Sequence, residues 1–202
     1  MEATSRDDRM KARIQLVAEH VRLENSHDLD GILGTFGRDA RYDDEPWDDH
    51  RVGRDQVHLY YEQMLAAVPD LQIEVRRQYA TDDAVILEVT ISGAQTGAWR
   101  GLPATGKSFS FPLCGFFTFD RENKLLGEKI YYDRATVLRQ LGVFREPTSP
   151  LGRLSTAINH PLTIARAFAR AMRGHAKLKS SSLSLPMKTF DVRSFRCGGV
   201  DD

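Results

Sequence analysis

Apolar residues recur at spacings of three and four in the first third of the chain and at spacings of two through its middle, so helices come first and strands follow. Across Asp7 to Asn25, Met10, Ile14, Val17 and Val21 form one stripe, opposed by Arg13, Glu19 and Arg22. The spacing predicts an amphipathic helix. Asn25 to Asp28 interrupt it, and Leu29, Ile32, Leu33 and Phe36 begin a shorter stripe for which Asp28 is the expected N-cap. A short strand is expected over Ala40 to Asp43, running into an acidic loop with Pro46 and His50. After Gly53 comes the clearest helical stripe, Val57, Tyr60, Tyr61, Met64, Leu65 and Val68, which Pro69 and Asp70 stop.

Period two then takes over. Leu71, Ile73, Val75, Arg77 and Tyr79 alternate with Gln72, Glu74, Arg76 and Gln78, predicting a half-buried strand, and AVILEVTISG predicts its hairpin partner. The stretch AQTGAWRGLPATGKS, with Trp99 at its middle, reads as a long connection. It joins two strands, so it lacks the following helix that a phosphate-cradling loop needs. From Phe109 to Phe119 an aromatic face is interrupted by Gly115. The last strand puts Glu128, Ile130 and Tyr132 on one face and Lys129, Tyr131 and Asp133 on the other. Val137, Leu138 and Leu141 then mark a brief helix ended by Gly142. Helices followed by hairpin-connected strands predict an α+β fold, an antiparallel sheet curved around the helices over a conical apolar interior.

Asp133 stands where strand becomes helix, which gives it two readings. It can cap the helix, ionised and inert. If it faces an enclosed apolar cavity, desolvation raises its pKa toward that of a general acid or base. Tyr42 and Trp47 are unusual in a solvated loop and are expected to roof a pocket. The acids beside them, Asp43, Asp44, Glu45, Asp48 and Asp49, match no calcium-loop spacing and read as a solvated cluster, so no metal site is expected.

Lysine plus arginine equals aspartate plus glutamate at 28 each, so the whole-chain charge suggests no nucleic-acid partner. The balance hides an asymmetry. Residues 1–149 hold 19 basic and 25 acidic side chains, a net of −6, and the remainder holds 9 and 3, a net of +6. Two cysteines, Cys114 and Cys197, imply no disulfide framework. A charged N-terminus and the lack of a long apolar run suggest a cytoplasmic protein. Domain boundaries are expected at 1–145 for the α+β body, 146–178 for a linker and a basic amphipathic helix from Asn159, and 179–202 for a disordered tail. The basic helix could dock on the acidic body, on a partner or on an anionic membrane surface.

Four blocks, HDLDGILGTFGRDARYDDEP, VGRDQVHLYYEQMLAAVPDLQIEV, ISGAQTGAWRGLPATGKSFSFP and YYDRATVLRQLG, resemble the SnoaL-like polyketide cyclase and ester cyclase family of the nuclear transport factor 2-like superfamily. The resemblance covers about Glu24 to Gly142. It implies a cone-shaped α+β barrel, a homodimer through the outer sheet face, and a small hydrophobic carbonyl compound as ligand. It also implies intramolecular aldol cyclisation without metal or cofactor, with Asp133 at the position similar to the family's acid/base carboxylate. Tyr42, Trp47, Tyr60, Tyr61, Trp99 and Tyr131 are the expected substrate contacts. The alternative is a binding module of the same fold that has lost the chemistry, with Asp133 only a cap.

Overall fold

A computed structural model describes residues 6–181. The chain separates into two units, Met1–Arg145 and Glu146–Asp202. The first begins with α1 (Arg6–Asn25) and α2 (Leu29–Thr35), where Asp28 accepts a 2.9 Å bond from the Gly31 amide as the expected N-cap. Then come β1 (Phe36–Asp44), β2 (Asp49–Val52) and α3 (Arg54–Ala67). Four more strands, β3 (Gln72–Ala80), β4 (Ala84–Ala94), β5 (Ser108–Phe119) and β6 (Leu125–Tyr132), lead into α4 (Arg134–Gln140).

The six strands lie in the order β2-β1-β6-β5-β4-β3. All pairings are antiparallel except β1 with β6, where the chain has crossed over through helix and sheet. Register shifts in β1, β3 and β5–β6 mark irregularities of the kind that bend strands. The sheet is curved but keeps two free edges, so the barrel expected from the resemblance is not closed.

The alternation in β4 and β5 sets the inner face. Val85, Leu87, Val89 and Ile91 are buried on β4, and Phe109, Phe111 and Phe117 on β5, together with Val17 and Val21 of α1 and Val57, Tyr60 and Tyr61 of α3. Three local expectations change. The first strand is nine residues long, and part of the expected acidic loop is β2, pairing Asp43 with His50 and Asp44 with Asp49. β3 is not half-buried: it is an edge strand whose register shifts between Val75 and Arg77, leaving Val75 and Tyr79 exposed.

In the second unit, α5 (Pro150–Asn159) occupies what read as linker. Proline at its first position costs no hydrogen bond, and Ser149 caps it by accepting 3.0 Å from the Gly152 amide. α6 (Pro161–Ser181) runs three residues past the expected end of the basic helix. The rest of the expected tail, with Cys197, lies outside the described residues.

Candidate active site

β6 delivers the site's central carboxylate. Ile130 and Tyr132 point into the cone, and by the same alternation so does Glu128. An apolar cavity of about 110 Å³ lies over this face, well above the roughly 10–15 Å³ that one water requires. Its walls are mainly aliphatic and aromatic side chains of β4, β5, α3 and α4. Glu24, Gln95 and Glu128 are its polar non-aromatic members. Gly115 lines it too: a Cβ there would sit 3.3 Å from the Phe117 ring, so the glycine keeps this wall open.

One end is built around His20, which is fully buried on α1. The Thr35 hydroxyl gives its proton to the Ile32 carbonyl at 2.6 Å, so the 2.8 Å contact to His20 Nδ1 requires Nδ1–H as donor. Nε2 then faces Glu128 Oε2 at 3.3 Å, Glu24 Oε1 at 3.6 Å and the Tyr61 hydroxyl at 3.1 Å. Burial disfavours a charged ring, but Glu24 and Glu128 outweigh it and raise the His20 pKa to about 10. That shift favours the imidazolium form at neutral pH. Tyr61 bridges the carboxylates, its hydroxyl 2.8 Å from Glu128 Oε2 and 3.0 Å from Glu24 Oε1.

Burial, and then repulsion from Glu24, push the Glu128 carboxyl above the ordinary glutamate range, with His20 and Tyr61 pulling the other way. All its side-chain hydrogen bonds go to Oε2, and Oε1 takes none from the described residues. His20, Glu24 and Glu128 each offer a ligand atom within 4.8 Å of the others, so this trio is where a divalent cation would find donors among the described residues. In this structure those atoms are joined instead through the imidazolium and the Tyr61 hydroxyl.

The other end is marked by Tyr132, four residues along β6 and so about 13 Å from Glu128. Here the long connection expected between β4 and β5 folds back on Gln95, whose amide receives the Thr105 hydroxyl at 2.7 Å and donates to the Gly97 and Pro103 carbonyls. This places Arg100 against the rings of Trp99 and Trp47, 4.8 and 5.1 Å from their centroids. Its guanidinium donates to Asp44 Oδ2 at 2.7 Å and Asp49 Oδ2 at 2.8 Å. Tyr60 and Tyr132 donate to the same Asp44 oxygen at 3.3 and 3.4 Å, and the Trp47 indole donates to the Tyr132 hydroxyl at 2.8 Å. Burial raises the Asp44 pKa despite Arg100. The acids that read as solvated are thus largely paired, His50 with Asp43, Lys129 with Glu45, and Arg100 with Asp44 and Asp49.

Four of the expected substrate contacts line the cavity: Tyr42, Trp47, Tyr60 and Trp99, with the Tyr42 and Tyr60 rings 4.1 Å apart. Tyr61 lies behind the wall, where it supports Glu128. Tyr131 is on the opposite face of β6, exposed and edge-on to Phe116. Asp133 is the main correction. The alternation that turns Glu128 inward turns Asp133 outward, where it is exposed and absent from the cavity wall. It accepts 2.9 Å from the Ala135 amide and 2.5 Å from the Thr136 hydroxyl, and the Thr136 bond foremost holds its pKa below the ordinary aspartate value. Its connection with the cavity is indirect, because the helix it caps supplies Val137 and Leu138 to the wall and ends on Leu141, which lines it too. Gly142 ends that helix at φ +77°, with Val143 and Gly142 donating to the Leu138 and Arg139 carbonyls as a Schellman motif.

Sequence reasoning passed over Glu128, His20 and Glu24. Each was signalled: a charged residue in phase with Ile130 and Tyr132, and a histidine and glutamate in phase with Val17 and Val21. Arg100 gave no such signal, since a loop residue has no period.

No protein of curated function matches the chain by sequence. AclR of Streptomyces galilaeus, a proposed hydroxylase, is 29% identical, covering 67% of this chain and 99% of its own at a TM-score of 0.59. A proposed SnoaL-like polyketide cyclase from Jannaschia sp. CCS1 is 16% identical over 72% of this chain and 100% of its own, with a TM-score of 0.62. SalBIII, described as an epoxide hydrolase/cyclase-like enzyme in pyran ring formation in the polyether salinomycin, is 21% identical over 65% and 97%, at 0.56. The profile of SnoaL-like polyketide cyclases matches residues 12–141.

Proposed function

The chain belongs to the SnoaL-like polyketide cyclase family, and from that premise we propose that it is a cofactor-independent enzyme acting on a hydrophobic carbonyl compound, with Glu128 as its general base. The observation that carries this reading is a buried carboxyl on an apolar cavity wall, hydrogen-bonded through one oxygen only, with its affinity for protons raised. In the proposed reaction Glu128 takes a proton from the carbon next to a carbonyl. The resulting enolate attacks a second carbonyl of the same molecule, and the proton returns to the alkoxide formed. The cavity's part is to hold the two carbons together, which supplies most of the advantage in an intramolecular reaction.

A ligand touching both Glu128 and Tyr132 spans the two ends of the cavity, and the Tyr42, Tyr60 and Trp99 rings favour a flat one. Tyr60 and Tyr132 are the proposed donors to its oxygen atoms, each turning to the ligand the one proton that otherwise goes to Asp44 in a long bond. A homodimer would use the outer face of the sheet, where Tyr79 and Tyr131 are exposed. The second reading, a binding module without turnover, is favoured by the surface position of Asp133.

Exchange of the α-protons of 2-tetralone in D2O, followed by proton NMR, separates the two. A general base at Glu128 accelerates exchange in the native protein and in Asp133→Asn. Glu128→Gln loses the acceleration, by two orders of magnitude or more, while still binding the ketone. Exchange that is unaffected in Glu128→Gln overturns the assignment, and a protein that binds the ketone without exchanging it favours the binding module.

A further inference from the structure

α5 and α6 carry large apolar side chains turned to solvent. Leu151, Leu154 and Ile158 recur at helical spacing on α5 and are 58–68% exposed. On α6, Phe168 and Met172 follow at the same spacing and are 65% and 69% exposed. Arg166 and Arg170, also exposed, lie on the opposite side of that helix. Single exposed apolar residues are ordinary, but a run of them on consecutive helices marks an interaction surface.

The charge pattern identifies the partner. From Pro147 to Phe190 the sequence has seven basic residues and no aspartate or glutamate. A second copy of these helices would bring like charges together, and a protein interface of ordinary composition would have acids among its polar residues. An apolar face on helices whose charged residues are all basic suits a surface that is anionic outside and apolar beneath. No described helix is long and apolar enough to cross a membrane, so the fit is to lying in the headgroup layer. We propose that α5 and α6 dock the protein on an anionic lipid bilayer, with the leucine, isoleucine, phenylalanine and methionine side chains in the acyl boundary and the arginines near lipid headgroups. The inference is independent of the proposed chemistry.

Sedimentation of the full chain with vesicles of phosphatidylcholine, alone or with a quarter phosphatidylglycerol, tests this. Binding is expected to the mixed vesicles, weakened by salt, and not to pure phosphatidylcholine. Arg166→Gln and Arg170→Gln should each lower the partition coefficient about fivefold. Phe168→Ser should lower it about tenfold, and circular dichroism should report an unchanged fold. No binding to either vesicle overturns the proposal. So does binding that none of the three variants weakens. An oligomer that Phe168→Ser dissociates, in a protein that ignores vesicles, would assign the face to a second copy and overturn it equally.

Discussion

Replacing His20 with asparagine removes the only cation from a cluster that otherwise holds two carboxylates, Glu24 and Glu128, and the Tyr61 hydroxyl. The His20 pKa rises from 6.5 to about 10 on folding, which at 1.36 kcal/mol per unit is on the order of 5 kcal/mol. Breaking a buried pair by deleting one partner ordinarily costs about 3–5 kcal/mol, so the two routes agree in scale. The pH dependence is the more discriminating quantity. Because the folded state raises the pKa, the contribution is complete below 6.5 and disappears as pH climbs through about 10. Linkage leaves roughly half of it at pH 8. Urea unfolding followed by the fluorescence of Trp47 and Trp99 can compare the native chain with His20→Asn at pH 6, 8 and 10. The stability difference should be several kcal/mol at pH 6 and shrink steadily to the packing remainder at pH 10. A difference that is the same at all three values would mean that His20 is neutral in the fold, and the charge assignment of the cluster would fail.

Two further outcomes follow from the same geometry. Asp133→Ala should lower the melting temperature modestly and Asp133→Asn less, since asparagine also caps. The depressed carboxyl means that this contribution is present above the ordinary aspartate range and lost as pH falls, which acid titration of the melting temperature checks. Gly115→Val should raise the Kd for 2-tetralone at least tenfold in isothermal calorimetry with the fold intact, because the new side chain occupies cavity space beside Phe117.

Much of the fold is legible in the sequence because it rests on periodicity. The stripes of α1, α2 and α3, the Asp28 cap, the hairpins of β3 to β5 and the Gly142 stop all follow from local spacing. What failed was non-local. β2 is a strand because β1 pairs with it, and β3 is exposed because it is the sheet's edge, with a strand on one side only. The same divide runs through the site. Alternation on β6 already separated Glu128 from Asp133, but the resemblance drew attention to the residue whose face points out. Which inward residue carries charge into the cavity is a question of phase, and the phase was readable. That His20, Glu24 and Glu128 meet is not, since 108 residues separate His20 from Glu128. Arg100 finds Asp44 across 56 residues, through a loop held by Gln95.

The account stands on one carboxyl group kept from water against an apolar cavity. Carbon-13 NMR of the protein labelled at glutamate side-chain carboxyls, with Glu128→Gln to assign the signal, measures that group directly. A Glu128 resonance that titrates above the ordinary glutamate value of 4.5 and shifts when 2-tetralone binds is the predicted result. A resonance that titrates at or below that value, indifferent to the ketone, would contradict it.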